Sequence, residues 1–171
     1  LIGIVVRSYS WTILLGNAGV INATLMRLDL IDRPIPLMYN SFGIVVALTH
    51  VVLPFMVLPI LSALQGIDPA VRAAARSLGA RPFTVFRRVV LPLAMPGIRS
   101  GTILVFVLAV SACVTPALTG GMRVQTMTVM VVDTLIDPYR WPFGSALAFA
   151  LSVAAGVIVL VFGRLTRARW A

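Results

Sequence analysis

The stretch Asp68-Pro69-Ala70-Val71-Arg72-Ala73-Ala74-Ala75-Arg76-Ser77-Leu78-Gly79-Ala80-Arg81-Pro82-Phe83-Thr84-Val85-Phe86-Arg87-Arg88-Val89-Val90-Leu91-Pro92 lies between two apolar runs, each long enough to cross a bilayer, and continues to Pro96-Gly97. Asp68 can cap the amides of a helix that starts at Pro69, whose missing N–H costs nothing in a first turn. Ala70, Ala73, Ala74 and Ala75 favour helix, and Gly79 suits the place just past a last turn. Arg81-Pro82 opens a second short helix. Leu91-Pro92 predicts its end, because the residue before a proline avoids the helical region. The stretch therefore reads as helix, glycine turn, helix. Its alanines let another surface approach closely, with Val71 and Leu78 beside them. The arginines at 72, 76, 81, 87, 88 and 99 suit a surface near anionic headgroups.

This stretch resembles the cytoplasmic "EAA" loop of binding-protein-dependent ABC importer permeases. That pattern is Glu-Ala-Ala, a glycine a few residues on, then an apolar-x-Leu-Pro ending. Ala74, Ala75, Gly79, Val89, Leu91 and Pro92 occupy the matching places, and the family's glutamate falls on Ala73. The resemblance implies a coupling helix that docks into a cleft on an ATP-hydrolysing subunit. Ala70, Arg72, Ala73, Ala74, Ala75, Leu78, Gly79, Leu91 and Pro92 are its expected contact residues. Any salt bridge or cap that a glutamate at position 73 would make is missing. A basic loop that only obeys the positive-inside rule is the plainer alternative, but charge bias does not demand the Gly and Leu-Pro spacing.

Composition narrows the class. Of 171 residues, 60% are hydrophobic and 11% charged, too apolar for a soluble domain of this size. Every cation is Arg and every anion Asp. The net charge of +9 does not point to nucleic acid, because no basic polar domain interleaved with aromatics accompanies it. Cys113 is the only cysteine, so no internal disulfide forms; it reads as a small packing residue. His50 also stands alone in an apolar run. It either lines a pathway or packs as a hydrogen-bonded histidine, the more ordinary reading. No cluster has metal-ligand spacing, no nucleophile sits in a catalytic setting, and no glycine-rich phosphate loop occurs. No catalytic residue, cofactor or metal is expected, and ATP hydrolysis belongs to a partner.

Taken in order, the chain opens on the apolar run Leu1 to Val6. With no initiator Met and no basic leader, a signal peptide is not expected. The run reads as the end of a membrane helix whose earlier part is absent, with Arg7, Tyr9 and Trp11 as interfacial anchors. Residues 16–41 predict a connection holding a short amphipathic helix. Phe42 to Leu64 is an uncharged span of 23 residues, against about 20 needed to cross the hydrocarbon. Pro54 and Pro59 inside it serve either close packing or a hinge. A second span is predicted from about Gly101 to Leu118, interrupted by Pro116. Ser111, Thr115 and Thr119 on it read as helix contacts by default. Thr119-Gly120-Gly121 predicts a break, Val124 to Leu135 a short helix, and Tyr139-Arg140-Trp141-Pro142 an interface. The last span is expected over Phe143 to Phe162.

Charge sets the orientation. The organising stretch through Arg99 carries six arginines against one aspartate. Arg164, Arg167 and Arg169 close the chain, and both other connections are neutral. The positive-inside rule then makes the loop 66–96 and the C-terminus cytoplasmic.

The resemblance to ABC importer permeases extends over nearly the whole chain. It is closest to the subfamily that imports polyamines, with relatives for phosphonates and similar solutes. Its carriers include Arg7-Ser8-Tyr9-Ser10-Trp11, Gly19-Val20-Ile21-Asn22, Pro36-Leu37-Met38-Tyr39-Asn40, Leu53-Pro54-Phe55-Met56, Thr115-Pro116-Ala117-Leu118-Thr119-Gly120-Gly121 and Trp141-Pro142-Phe143-Gly144-Ser145-Ala146-Leu147-Ala148. It implies an all-α integral-membrane fold, a polytopic helical bundle of the type I, MetI-like permease kind. Residues 1–171 would form one permease domain, incomplete at the N-terminus, in a bacterial inner membrane. The implied partners are a cytoplasmic ATP-binding subunit, a second permease subunit, a periplasmic solute-binding protein and membrane lipid. An ATP-independent channel or proton-coupled carrier is the alternative, with His50 as its ionisable group.

Overall fold

The computed structural model describes residues 2–121, 124–136 and 140–167, and all regular structure in them is helical. The elements are α1 (Ile2–Leu15), α2 (Val20–Arg27), α3 (Ser41–Gln65), α4 (Pro69–Ser77), α5 (Pro82–Val85), a π-helical turn (Phe86–Val90), α6 (Leu91–Ser111), α7 (Val114–Gly120), α8 (Met127–Ile136) and α9 (Trp141–Arg167). Four helical stretches are long and apolar enough to cross a membrane: Ile2–Arg27, Ser41–Gln65, Pro82–Ser111 and Trp141–Thr166. The first is interrupted after Leu15. The all-α membrane fold class expected from the sequence is what the chain adopts. Tyr139, read as part of an interfacial stretch, and Arg169, in the closing run of arginines, lie outside the described residues.

Three local expectations are corrected. Leu91-Pro92 does not end a helix; the chain is helical without a break from Pro82 to Ser111. The reason is the turn Phe86–Val90, whose wider winding lets the Leu91 N–H reach the Phe86 carbonyl, five residues back. Such a turn makes room for a proline ring that would otherwise strike the preceding turn. Second, the span breaks at Ala112 and Cys113 rather than at Pro116. Pro116 falls in the first turn of α7, where no amide partner is needed. The Thr128 hydroxyl donates to the Val110 carbonyl, one of those freed at the end of α6. Third, Thr119 and Gly120 belong to α7, and the turn comes only at Gly121, with φ +55°.

The described residues group into two compact units. The first comprises Leu1–Val51 and Ala109–Ile158. Here α1 packs on α7 and α2, and α7 on α8. Its interior mixes Leu15, Met38, Ile44 and Ala47 with the buried polar groups Ser8, Asn22, Thr115 and Thr119. Ser8 and Thr115 share a hydrogen bond of 3.0 Å between hydroxyls. Asn22 donates to the carbonyls of Gly16 (3.1 Å) and Ile35 (3.0 Å) and accepts from the Ile35 N–H (2.9 Å). That one side chain ties the start of α2 to the irregular segment after it. Asn40 accepts from the Gly43 N–H at 2.8 Å and so caps α3. Among the described residues no buried side-chain nitrogen or oxygen lacks a partner, as hydrocarbon surroundings require.

The second unit comprises Val52–Leu108 and Val159–Ala171. In it α6 lies directly on α3. Gly97 and Gly101 are buried, and a methyl group on Gly97 would meet Pro59 and Ala63. Small residues four apart are what close helix approach in membranes demands. Pro59 therefore takes part in packing, one of the two roles left open for it. Ile67, Val85 and Ala94 are the buried apolar residues at the foot of the organising segment, where α4 packs against α5 and the π turn.

Candidate functional site

The organising segment is assembled almost entirely from local rules. Asp68 accepts from the Ala70 N–H at 2.8 Å, and Pro69 takes the first helical position. At the other end Gly79 adopts φ +77°. Its N–H donates to the Arg76 carbonyl at 2.9 Å, and the Ala80 N–H to the Ala75 carbonyl at 3.2 Å. This is a complete Schellman closure, which a residue with a Cβ enters only under strain. The nine-residue α4 is thus sealed at both ends without tertiary help.

The outward side of the segment combines exposed apolar and cationic side chains. Leu78 is 88% and Phe83 73% exposed, and Val71 is also open to solvent. Ala70, Ala73 and Ala74 are exposed beside them, and Ala75 is half-buried. Arg72, Arg76, Arg81, Arg87 and Arg88 are exposed as well. Two large apolar side chains standing out of a cationic surface are surface to be covered, and their hydrophobic contribution scales with the area removed from water. Of the residues expected to make contact, seven lie between Ala70 and Gly79, in and just past α4. Leu91 and Pro92 do not join them; they are half-buried at the start of α6. Arg99, grouped with the surface arginines in the sequence, is half-buried within α6.

Among the described residues no group of His, Cys, Asp and Glu could hold a metal. Sequence reasoning passed over Gly97 and Gly101, which hold the two long helices of this unit together. Their Gly-x-x-x-Gly spacing was the available signal.

His50, the lone histidine, lies on α3 within the first unit. It accepts a hydrogen bond at Nδ1 from the Trp11 indole N–H at 3.3 Å. Trp11, expected as an interfacial anchor, thus has a specific side-chain partner.

Residues 35–168 match the family described as binding-protein-dependent transport system inner membrane component, and the chain belongs to that family. It is 34% identical, over 93% of its length, to the spermidine/putrescine transport system permease protein PotB of Haemophilus influenzae, covering 56% of that protein. To PotB of Escherichia coli K12 the identity is 33% over 95% of this chain and 59% of the relative. A putative 2-aminoethylphosphonate transport system permease protein, PhnU of Salmonella typhimurium, is 31% identical over 74% of this chain and 45% of its own length. The chain thus spans less than three fifths of these relatives.

Proposed function

We propose that this member of the binding-protein-dependent transport family forms part of the membrane path of an ATP-driven solute importer, and that it takes up the movement of a cytoplasmic ATP-binding subunit through α4. One observation carries this reading. Between two membrane-length helices stands a short helix, capped at both ends, that holds Leu78 out among exposed arginines, with Phe83 exposed at the start of the helix that follows. A rigid, self-capped helix transmits a push better than a loop, because its shape does not depend on what it touches. Ala70, Arg72, Ala73, Ala74, Ala75, Leu78 and Gly79 make the contact in this scheme. Leu91 and Pro92 sit within the long helix Pro82–Ser111, just past the π-helical turn on which α4 packs. A two-state partner interface of this kind couples distant sites through differential contact.

The rest of the assembly follows from the same reading. The segment 66–96 and the C-terminus face the cytoplasm, in keeping with their positive charge. A periplasmic solute-binding protein delivers the solute to the other side, and a second permease subunit completes the path. The surrounding solvent is the lipid of a bacterial inner membrane. The solute is a polyamine or a related small polar compound, a class supported by the names of the PotB relatives. Hydrolysis of ATP takes place in the partner.

The test is co-purification of the complete importer from membranes in mild detergent. Leu78→Asp and Phe83→Asp alter side chains that contribute little to this chain's own packing, so the permease should persist while the ATP-binding subunit is lost. Retention of that subunit at wild-type levels in both variants, and in Gly79→Asp, would overturn the docking role.

A further inference from the structure

We propose that Trp11 and His50 form an amine-binding subsite on the solute's route; this deepens, and rests on, the importer reading above. The indole N–H of Trp11 donates to His50 Nδ1 at 3.3 Å, and the rings meet edge-on with centroids 5.7 Å apart and planes at 71°. An indole N–H can only donate, so Nδ1 presents its lone pair and the neutral ring's hydrogen lies on Nε2. The pair thus combines an uncharged acceptor with an aromatic face. Both suit a protonated amine: the lone pair takes an N⁺–H, and the indole face attracts the cation.

The surroundings separate this pair from ordinary packing. Ser8 lies one turn before Trp11 on the same helix and also has a polar partner across the unit, Thr115, but both of those residues are buried. The Trp11–His50 pair is left open: His50 is exposed and Trp11 half-exposed. Open polar groups on membrane-length helices are costly against lipid and face a bundle interior or an aqueous path. Neither α1 nor α3 contains an acidic residue. A cation near the pair therefore meets no carboxylate on these helices, and Arg7, one turn before Trp11 on α1, adds a like charge; the site holds it weakly enough to let it pass on, as conduction requires. The indole N–H now occupies the lone pair. An ammonium group makes a stronger, charge-assisted bond there, so an arriving amine displaces the N–H and leaves the indole free to cover it.

The experiment measures uptake of radiolabelled putrescine by proteoliposomes holding the complete importer. His50→Phe removes the acceptor and Trp11→Leu the aromatic face; each should raise KM about tenfold with the maximal rate preserved. His50→Gln keeps an acceptor and Trp11→Phe keeps a face, so both should stay nearer the wild-type KM. Unchanged KM in His50→Phe and Trp11→Leu would overturn the subsite and leave the importer reading standing. Equal impairment in all four variants would also overturn it, in favour of a purely structural pair. ATP-driven transport by the wild type without putrescine uptake would overturn the subsite together with the proposed solute class.

Discussion

Gly97 of α6 lies so near Pro59 of α3 that a Cβ built on the glycine would stand 2.5 Å from the Pro59 carbonyl oxygen, and 2.5 Å from the Ala63 Cβ. One contact atom is backbone, so no side-chain rotation relieves the clash. One turn along, a Cβ on Gly101 would come 3.0 Å from the Met56 sulfur, which can move. Gly97→Ala should therefore force the two helices apart and destabilise the protein by about 1–3 kcal/mol. Gly156→Ala, where nothing lies within 4 Å, should leave stability unchanged or slightly raised. Thermal unfolding in detergent of the two variants checks the contrast.

Asn22 is fully buried and uses its amide for three hydrogen bonds to backbone. Asn22→Leu would fill the space but strand the Ile35 N–H and two carbonyls. Each unsatisfied buried group costs about 1–3 kcal/mol. A marked loss of thermal stability is expected, with the Ile35 amide exchanging hydrogen faster than in the parent. Normal protection of that amide would show that the clamp is replaceable.

The hydroxyl pair Ser8 and Thr115 offers a cleaner energy. A double-mutant cycle with Ser8→Ala and Thr115→Val should give a coupling of about 0.6 kcal/mol, the average for polar contacts between membrane helices. A coupling indistinguishable from zero would mean that each hydroxyl finds another partner once its mate is gone.

Both ends of α4 can be loosened without touching its outward face. Asp68→Ala should cost about 1 kcal/mol of helix stability, and Asp68→Asn much less, since the amide oxygen still caps. Gly79→Ala has open space around its new methyl group, so any penalty is conformational, about 1 kcal/mol for a left-handed residue. Hydrogen exchange of the α4 amides would read both effects. If α4 must be rigid to transmit motion, Asp68→Ala and Gly79→Ala also lower the ratio of solute moved to ATP hydrolysed.

The organising segment was legible because its signals are local. Asp68, Pro69 and Gly79 act through their own backbone and their nearest neighbours, so their roles follow from identity and order. The spans over Phe42 to Leu64 and Phe143 to Phe162 were legible for a similar reason, since apolar runs of membrane length have few other uses; the one expected over about Gly101 to Leu118 lies instead over Pro82–Ser111. Pro92 was misread because a proline's effect depends on the winding of the turn before it, and the wide turn at Phe86–Val90 has no sequence mark. Pro116 was misread because the same residue breaks a helix interior and opens a new helix.

Sequence alone determined that the chain is a membrane protein of helical spans and that a cationic capped helix sits between two of them. These follow from composition, spacing and short-range hydrogen bonding. Only the tertiary structure decided that Gly97 receives Pro59, that Asn22 clamps Ile35, that Ser8 meets Thr115, and that Trp11 donates to His50. Each joins residues far apart in the chain. In a nearly uniform apolar background, which side chains meet depends on how the helices pack, and no single residue announces its partner.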